Sequence, residues 1–256
     1  MRLLFIGDVV GAGGCEFLMK KLPAYKKENN VDVCIANGEN SAQGNGVTPH
    51  SCEMLYSSGV DFITLGNHSF KRPEVLDYLE KESAIIRPYN FPDGAPGRGV
   101  GIIDKGRFRV AVINLMGTVY SEPLDNPFFQ IEKALKETDD CKTVILDFHA
   151  EATAEKRAMG FYLDGRVTAV LGTHTHVQTA DEQILPKGTA YITDVGMTGP
   201  VNSVLGIQPE LAIRKMKLHI PVRFSNAEGA YSVNACLIDI NEKTGKAENI
   251  QRVVLQ

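Results

Sequence analysis

VLGTHTHVQ, Val170 to Gln178, closes an apolar run with two histidines one residue apart. His174 and His176 project from neighbouring points of an extended or turning backbone, and each neutral ring offers a lone pair to a borderline cation. A His-x-His pair alone is weak evidence, since such a pair is more often solvated loop than a metal site. Its meaning depends on how the other apolar runs end. Asp8 follows Leu3 to Ile6, Glu39 and Asn40 follow Val31 to Ala36, Asn67 and His68 follow Val60 to Leu65, and His149 follows Thr143 to Asp147. In α/β sheets, ligands bind beyond the carboxyl ends of the strands, so these side chains can converge from distant segments.

Between these runs lie helical stretches, which makes the chain an alternating α/β protein. Glu16 to Asn29 reads as a helix after a flexible turn at glycines 11, 13 and 14, with Pro23 kinking it or ending it early. Thr48 reads as an N-cap with Pro49 at the first helical position of a helix to about Ser58. Further helices are expected at Pro73 to Lys81, Asn126 to Lys136 and Ala152 to Leu163. Val167 to Leu171 and Thr189 to Thr193 read as strands. Arg87 to Gly99, dense in proline and glycine, reads as an ordered loop, and Ser41 to Val47 as a polar one. Hairpins are expected around Asp104-Lys105-Gly106 and, near the end, around Asn241 to Gly245.

Composition narrows the functional classes. At 256 residues and 43% hydrophobic, the chain suits one domain over 1–256 with a large core, and no run approaches membrane-spanning length. Asp8 breaks the N-terminal apolar run, so no secretory signal is expected. Five cysteines without a CxxC pair argue against a disulfide framework and for the cytoplasm. A net charge of -4 without a basic block gives no footprint for a long nucleic acid, whereas a small anion in a pocket is compatible.

Each strand-end residue has an ordinary reading by itself. Asp8 can cap a turn, Glu39 and Asn40 can solvate a loop, Asn67 can hold a left-handed turn after Gly66, and His149 can be a hydrogen-bonded core histidine. Taken together, two carboxylates, an amide oxygen and three imidazoles suit a pair of divalent cations better than one. Without a nearby cysteine the donors are N and O, which fits Mn, Fe, Zn or Co. Ions about 3.5–4 Å apart activate water and neutralise phosphate in displacement at phosphorus. His50 and His219 stand outside the set as helix-associated structural or surface residues.

The order Gly7-Asp8, Gly38-Glu39-Asn40, Gly66-Asn67-His68, His149, Gly172-Thr173-His174-Thr175-His176 resembles the calcineurin-like metallophosphoesterases. With Asp194-Val195-Gly196-Met197-Thr198-Gly199 downstream, it resembles their YmdB-like bacterial phosphodiesterase branch over nearly the whole chain. The general family carries histidine where this chain has Val10, aspartate where it has Glu39, and an acid where it has Ser69. The resemblance implies a four-layer α/β/β/α sandwich of two mixed sheets flanked by helices. It implies one ion held by Asp8, Glu39, Asn40 and His176 and a second by Glu39, Asn67, His149 and His174, with Fe or Mn ahead of Zn or Co. It further implies attack on a cyclic nucleotide, 2′,3′-cAMP above all, by hydroxide bridging the ions, with His68 protonating the departing oxygen. A homo-oligomer is also in keeping with the branch. A phosphomonoesterase on a small metabolite or phosphoprotein, or a non-catalytic regulatory protein on the same fold, are the alternatives. Residues 194–199 read equally as a pocket wall, with Gly196 and Thr198 against phosphate, or as a plain glycine-rich turn.

Overall fold

Strand β1 (Arg2–Ile6) is buried on both faces, and its alternate residues enter different cores. Such a strand must lie inside a sheet covered on both sides, as the unbroken apolar run suggests. The computed structural model describes residues 1–138 and 141–256. Its first sheet joins β1, β2 (Asp8–Val9), β3 (Val33–Asn37), β4 (Phe62–Thr64) and β5 (Ile85–Ile86). Strands β1, β3, β4 and β5 run parallel in that order. The second sheet starts with β6 (Val100–Asp104) and β7 (Arg109–Met116), an antiparallel hairpin as expected, and continues through β8 (Thr143–His149) and β9 (Ala169–Thr173). Strands β10 (Gln183–Ile184) and β11 (Ala190–Ile192) complete it. The chain then returns to the first sheet with β12 (Met197–Pro200), β13 (Tyr231–Ile240) and β14 (Ala247–Leu255). Both sheets are mixed.

Three cores separate the layers. Leu3 and Phe5 meet Val33, Phe62, Val112 and Ile145 between the sheets. Leu4 and Ile6 face the other way, onto Leu18 and Leu22 of α1 (Gly11–Glu28) and Leu55 of α2 (Pro49–Ser57), with Leu79 of α3 (Leu76–Lys81) beyond. On the far side, Ile113 and Leu146 pack against Ile131 of α4 (Pro127–Ala134) and Met159 of α5 (Thr153–Tyr162). This is the four-layer α/β/β/α sandwich.

Some boundaries differ from the sequence reading. Helix α1 begins at Gly11 rather than Glu16, and Pro23 sits inside it without ending it. The early start is a packing effect: a Cβ on Gly14 would stand 2.8 Å from the Thr198 carbonyl oxygen, so glycine lets the helix lie against β12. Residues 197–200 form an unexpected strand, and α6 (Pro209–Leu218) is a helix that buries only Ala212. The α2 cap is as read: Ser51 N donates to Thr48 Oγ1 at 3.1 Å and Thr48 N to Ser51 Oγ at 3.0 Å. His50 is exposed on α2, and exposed His219 closes α6.

Asp61 ties three layers together. It accepts from Cys34 N at 2.8 Å, Lys26 Nζ of α1 at 3.1 Å and Lys105 Nζ of the β6–β7 turn at 2.8 Å. Burial opposes its ionisation, but the Lys105 ammonium, the Cys34 amide and Lys26 outweigh it and hold the carboxyl below its usual range. A lowered folded-state value stabilises above the unfolded value and fades as pH falls through the folded one. Asp61→Asn should cost about 1–3 kcal/mol at pH 7 in urea unfolding, with the gap to wild type closing in acid. An equal gap at both pH values would contradict this role.

Candidate metal centre

The carboxyl ends of β1–β2, β3, β4, β8 and β9 bring the sequence-selected residues to one place. Glu39 Oε2 lies 3.3 Å from His149 Nε2, which is 3.0 Å from both His174 Nδ1 and Asn67 Oδ1. On the other side, Asp8 Oδ1 is 3.6 Å from His176 Nε2 and 4.0 Å from His149 Nδ1. Asn40 Nδ2 donates to Glu39 Oε1 at 2.7 Å and lies 3.4 Å from His176 Nε2. Its Oδ1 faces His68 Nδ1 at 2.9 Å. Offering Oδ1 to a cation on the His176 side therefore takes a half-turn of the amide, which changes no volume. Gly66 keeps the centre open, since a Cβ there would collide with His149 Nε2 and Glu39 Oε2.

The ring orientations follow from partners behind the site. Thr173 Oγ1 donates to Asp147 Oδ1 at 2.6 Å, so it accepts from His149 Nδ1–H at 2.9 Å and leaves the Nε2 lone pair facing inward. Asp147 also accepts from Asn37 Nδ2 at 3.0 Å and from Thr64 Oγ1 at 2.5 Å. Burial pushes its carboxyl up to about 6. His176 Nδ1–H donates to the Leu205 carbonyl at 3.1 Å, which likewise turns Nε2 towards Asp8. His174 Nε2 is paired with Glu151 at 3.2 Å, leaving Nδ1 for the centre.

These donors fit a divalent cation on their own chemistry. Asp8 Oδ1 is fully buried without a hydrogen-bond partner, a costly state for a carboxylate oxygen unless a cation meets it. Glu39, His149 and His174 each place a ligand atom within 4.8 Å of the others. Burial disfavours a charged His149, yet Glu39 and then Asp8 and Asp147 push it up to about 9. Burial and the His149 charge push His174 down to about 4. Burial opposes Glu39 ionisation, but His149 and His68 hold its carboxyl well below the usual range. The centre thus demands positive charge between two buried carboxylates. A bound cation would replace the His149 proton, so its affinity would be expected to rise with pH.

The model of the family described as "YmdB-like protein" matches residues 4–253. The chain belongs to the YmdB-like family. It is 46% identical over 256 residues to the 2′,3′-cyclic-nucleotide 2′-phosphodiesterase of Bacillus subtilis (strain 168), covering 100% of this chain and 97% of that relative. A solved structure of a hypothetical protein from Thermus thermophilus matches with a TM-score of 0.94 at 40% identity, covering 100% of this chain and 99% of the other. A phosphatase structure from Mycoplasma pneumoniae matches with a TM-score of 0.94 at 33% identity, covering 100% and 93%.

In this YmdB-like chain the His174–His176 loop is bent into unfavourable backbone: φ is 98° at His174 and 64° at His176. Left-handed non-glycine residues cost on the order of 1–3 kcal/mol each and persist only where the surroundings fix them. A buried ion pair does so. Lys156 Nζ of α5 donates to Asp194 Oδ2 at 2.8 Å and to the Thr173 carbonyl at 2.7 Å. Asp194 Oδ2 accepts from Thr175 N at 3.0 Å and Thr175 Oγ1 at 2.7 Å, and Asp194 Oδ1 from Gly196 N at 2.8 Å. Gly196 and Thr198, offered by the sequence as pocket residues, stand elsewhere. Gly196 packs on Asn234 and Gln178, and Thr198 is a fully buried strand residue between Val9 and Val233. Asp194 holds the histidine loop, while residues 197–199 pair in the first sheet with β2 and β13.

The site opens into a cavity of about 350 Å³ walled by Val10, Glu39, Asn40, His68, His174 and His176 on one side. His68 is anchored there by N–H donation to Glu39 Oε2 at 3.0 Å and by Nδ1, 3.1 Å from Glu39 Oε1. Lys156, Leu205 and the cavity wall beyond it are what the sequence reading passed over. Lys156 looks like any surface lysine of an amphipathic helix, and only its depth reveals it.

Proposed function

We propose that the chain hydrolyses cyclic nucleotides, 2′,3′-cyclic phosphates foremost, at this site. Family membership makes it a hydrolase acting on phosphoric ester bonds. What carries the finer reading is the buried N/O donor set around Asp8 Oδ1, which has no hydrogen-bond partner, opening onto His68. Asp8, Glu39, Asn40 and His176 would hold one divalent ion and Glu39, Asn67, His149 and His174 a second, with Fe or Mn first and Zn or Co next. Such ions supply Lewis-acid activation of water and charge neutralisation at phosphorus.

The chain's own groups do the rest. Glu39 and Asn40 occupy His68 Nδ1, so Nε2 is the ring atom left to give a proton to the sugar oxygen released when the ring P–O bond breaks. Water adds to phosphorus as that bond opens, giving a phosphomonoester. Thr173 and Leu205 keep His149 and His176 in the tautomers that face inward. The free cysteines suit a cytoplasmic location, and among the described residues no helix is long and apolar enough to cross a membrane.

The test compares Mn-loaded protein on 2′,3′-cAMP, 3′,5′-cAMP and p-nitrophenyl phosphate. 2′,3′-cAMP should have the highest kcat/KM. Turnover of the monoester alone would instead mark a phosphomonoesterase. His68→Ala should lower kcat by about 10²–10⁴ while metal content stays at the wild-type level. Undiminished kcat would remove His68 from the reaction.

A further inference from the structure

Next to the catalytic cavity lies a second, apolar one of about 680 Å³, and the two share Leu205, Ile207 and Phe224. The outer cavity runs on between α6 and the segment after it, past Met216, Ile220 and Pro221. This wall is left in water: Leu205 is 46% exposed, Phe224 39% and Met216 70%. A contiguous apolar face beside a charged site marks a binding surface. A phosphate gains nothing from such a face. The organic part of a phosphoester does.

We infer that Phe224, with Leu205 and Ile207, forms a nucleobase subsite that makes the enzyme favour nucleotides over base-free cyclic phosphates. The inference rests on the cyclic-nucleotide reading above and names the part of the substrate that the donor cluster leaves unaddressed. Continuity is the first support, because Phe224 borders both the space holding the metal ligands and the apolar annex. A planar base attached to a ribose at the centre reaches into such a junction.

The wall is also set in fixed relation to the centre. The Leu205 carbonyl accepts from His176 Nδ1, so the residue that bounds the subsite is bonded to a ligand histidine. Leu205 is held at φ 53°, and Phe224 is brought beside it because Gln208 N donates to the Ser225 carbonyl at 3.1 Å and Ile207 bridges to Asn226. Lys215 Nζ lies 4.9 Å from the Phe224 ring centroid, which steadies the ring. Asn45 and Asn226 also line the catalytic cavity, and their amides can meet a base edge. Stacking on one aromatic ring tolerates any base, so the subsite selects for the presence of a base more than for its identity.

The experiment compares kcat/KM for 2′,3′-cAMP with that for methyl ribofuranoside 2,3-cyclic phosphate, the same strained ester without a base. Wild type should prefer the nucleotide by about tenfold or more, in line with the usual strength of a base–aromatic stack. Phe224→Ala should bring that ratio near unity, chiefly through KM on the nucleotide, and Phe224→Trp should restore it. Equal use of both substrates by wild type, or a ratio unmoved by Phe224→Ala, overturns the subsite while leaving the hydrolase reading intact. If neither ester is turned over, the hydrolase reading fails, and the subsite is then judged by calorimetric titration with adenosine. Binding by wild type that weakens about tenfold in Phe224→Ala supports it, and equal or absent binding overturns it.

Discussion

Glu39→Gln is expected to lower kcat/KM on 2′,3′-cAMP by on the order of a thousandfold, with metal content falling in the same preparation. The carboxylate stands between a candidate ligand histidine and the candidate proton donor, 3.3 Å from His149 Nε2 through Oε2 and 3.1 Å from His68 Nδ1 through Oε1. Glutamine keeps the volume and one oxygen but removes the charge and turns an amide N–H towards lone pairs. The lost term is several kcal/mol of charge stabilisation, and each 1.36 kcal/mol is tenfold in rate. Without metal, the carboxylate is held well below its usual range by His149 and His68, so the metal-free variant should melt below wild type at neutral pH. A variant with wild-type metal content and rate would remove Glu39 from the centre.

Lys156→Met should destabilise the protein by about 3–5 kcal/mol in urea unfolding, because it strands Asp194 as an unpaired charge in the core. Both members are essentially inaccessible, at 1% and 0% side-chain exposure. Adding Asp194→Asn removes that stranded charge, so the double variant should recover part of the loss. Neither variant restores the clamp on the Thr173–Thr175 backbone. Relaxation of the left-handed His174 and His176 should then weaken metal binding by about 10–100-fold, the usual cost of losing a group that orients a ligand. Unfolding midpoints within error of wild type for Lys156→Met would contradict the clamp.

The candidate ligands were legible because they share a simple signature, a polar donor just past an apolar strand. Two details needed three dimensions. Strand β8 runs on to His149 rather than ending at Asp147, and since alternate residues share a face, Asp147 lies behind the same site. Its partner Thr173 sits opposite His149 in the parallel β8–β9 register. That pairing is long-range and invisible in either segment alone. The α/β alternation was legible for the same reason as the ligands, whereas the assignment of strands to two sheets was not. Leu3 and Leu4 are chemically alike, and only the sheet decides that they enter different cores.

Stretch 194–199 shows the opposite case. Its glycines were visible as a motif, but the sequence could not say whether they met phosphate or backbone. The answer lies in Asp194, whose carboxylate holds the histidine loop from below. Helix α6 carries Pro209 and Glu210 at its start and Lys215 and Lys217 near its end, yet hydrophobic periodicity does not announce it because it buries so little. The same shortage of burial leaves the apolar wall at Phe224 exposed.

The central claim is that this donor set acts with two divalent ions on a cyclic phosphodiester. Chelator-treated protein titrated with Mn while 2′,3′-cAMP hydrolysis is followed tests it most directly. No turnover is expected without metal, and full activity only as the second equivalent per chain is bound. Full hydrolysis by metal-free protein, or none with two equivalents bound, would contradict it.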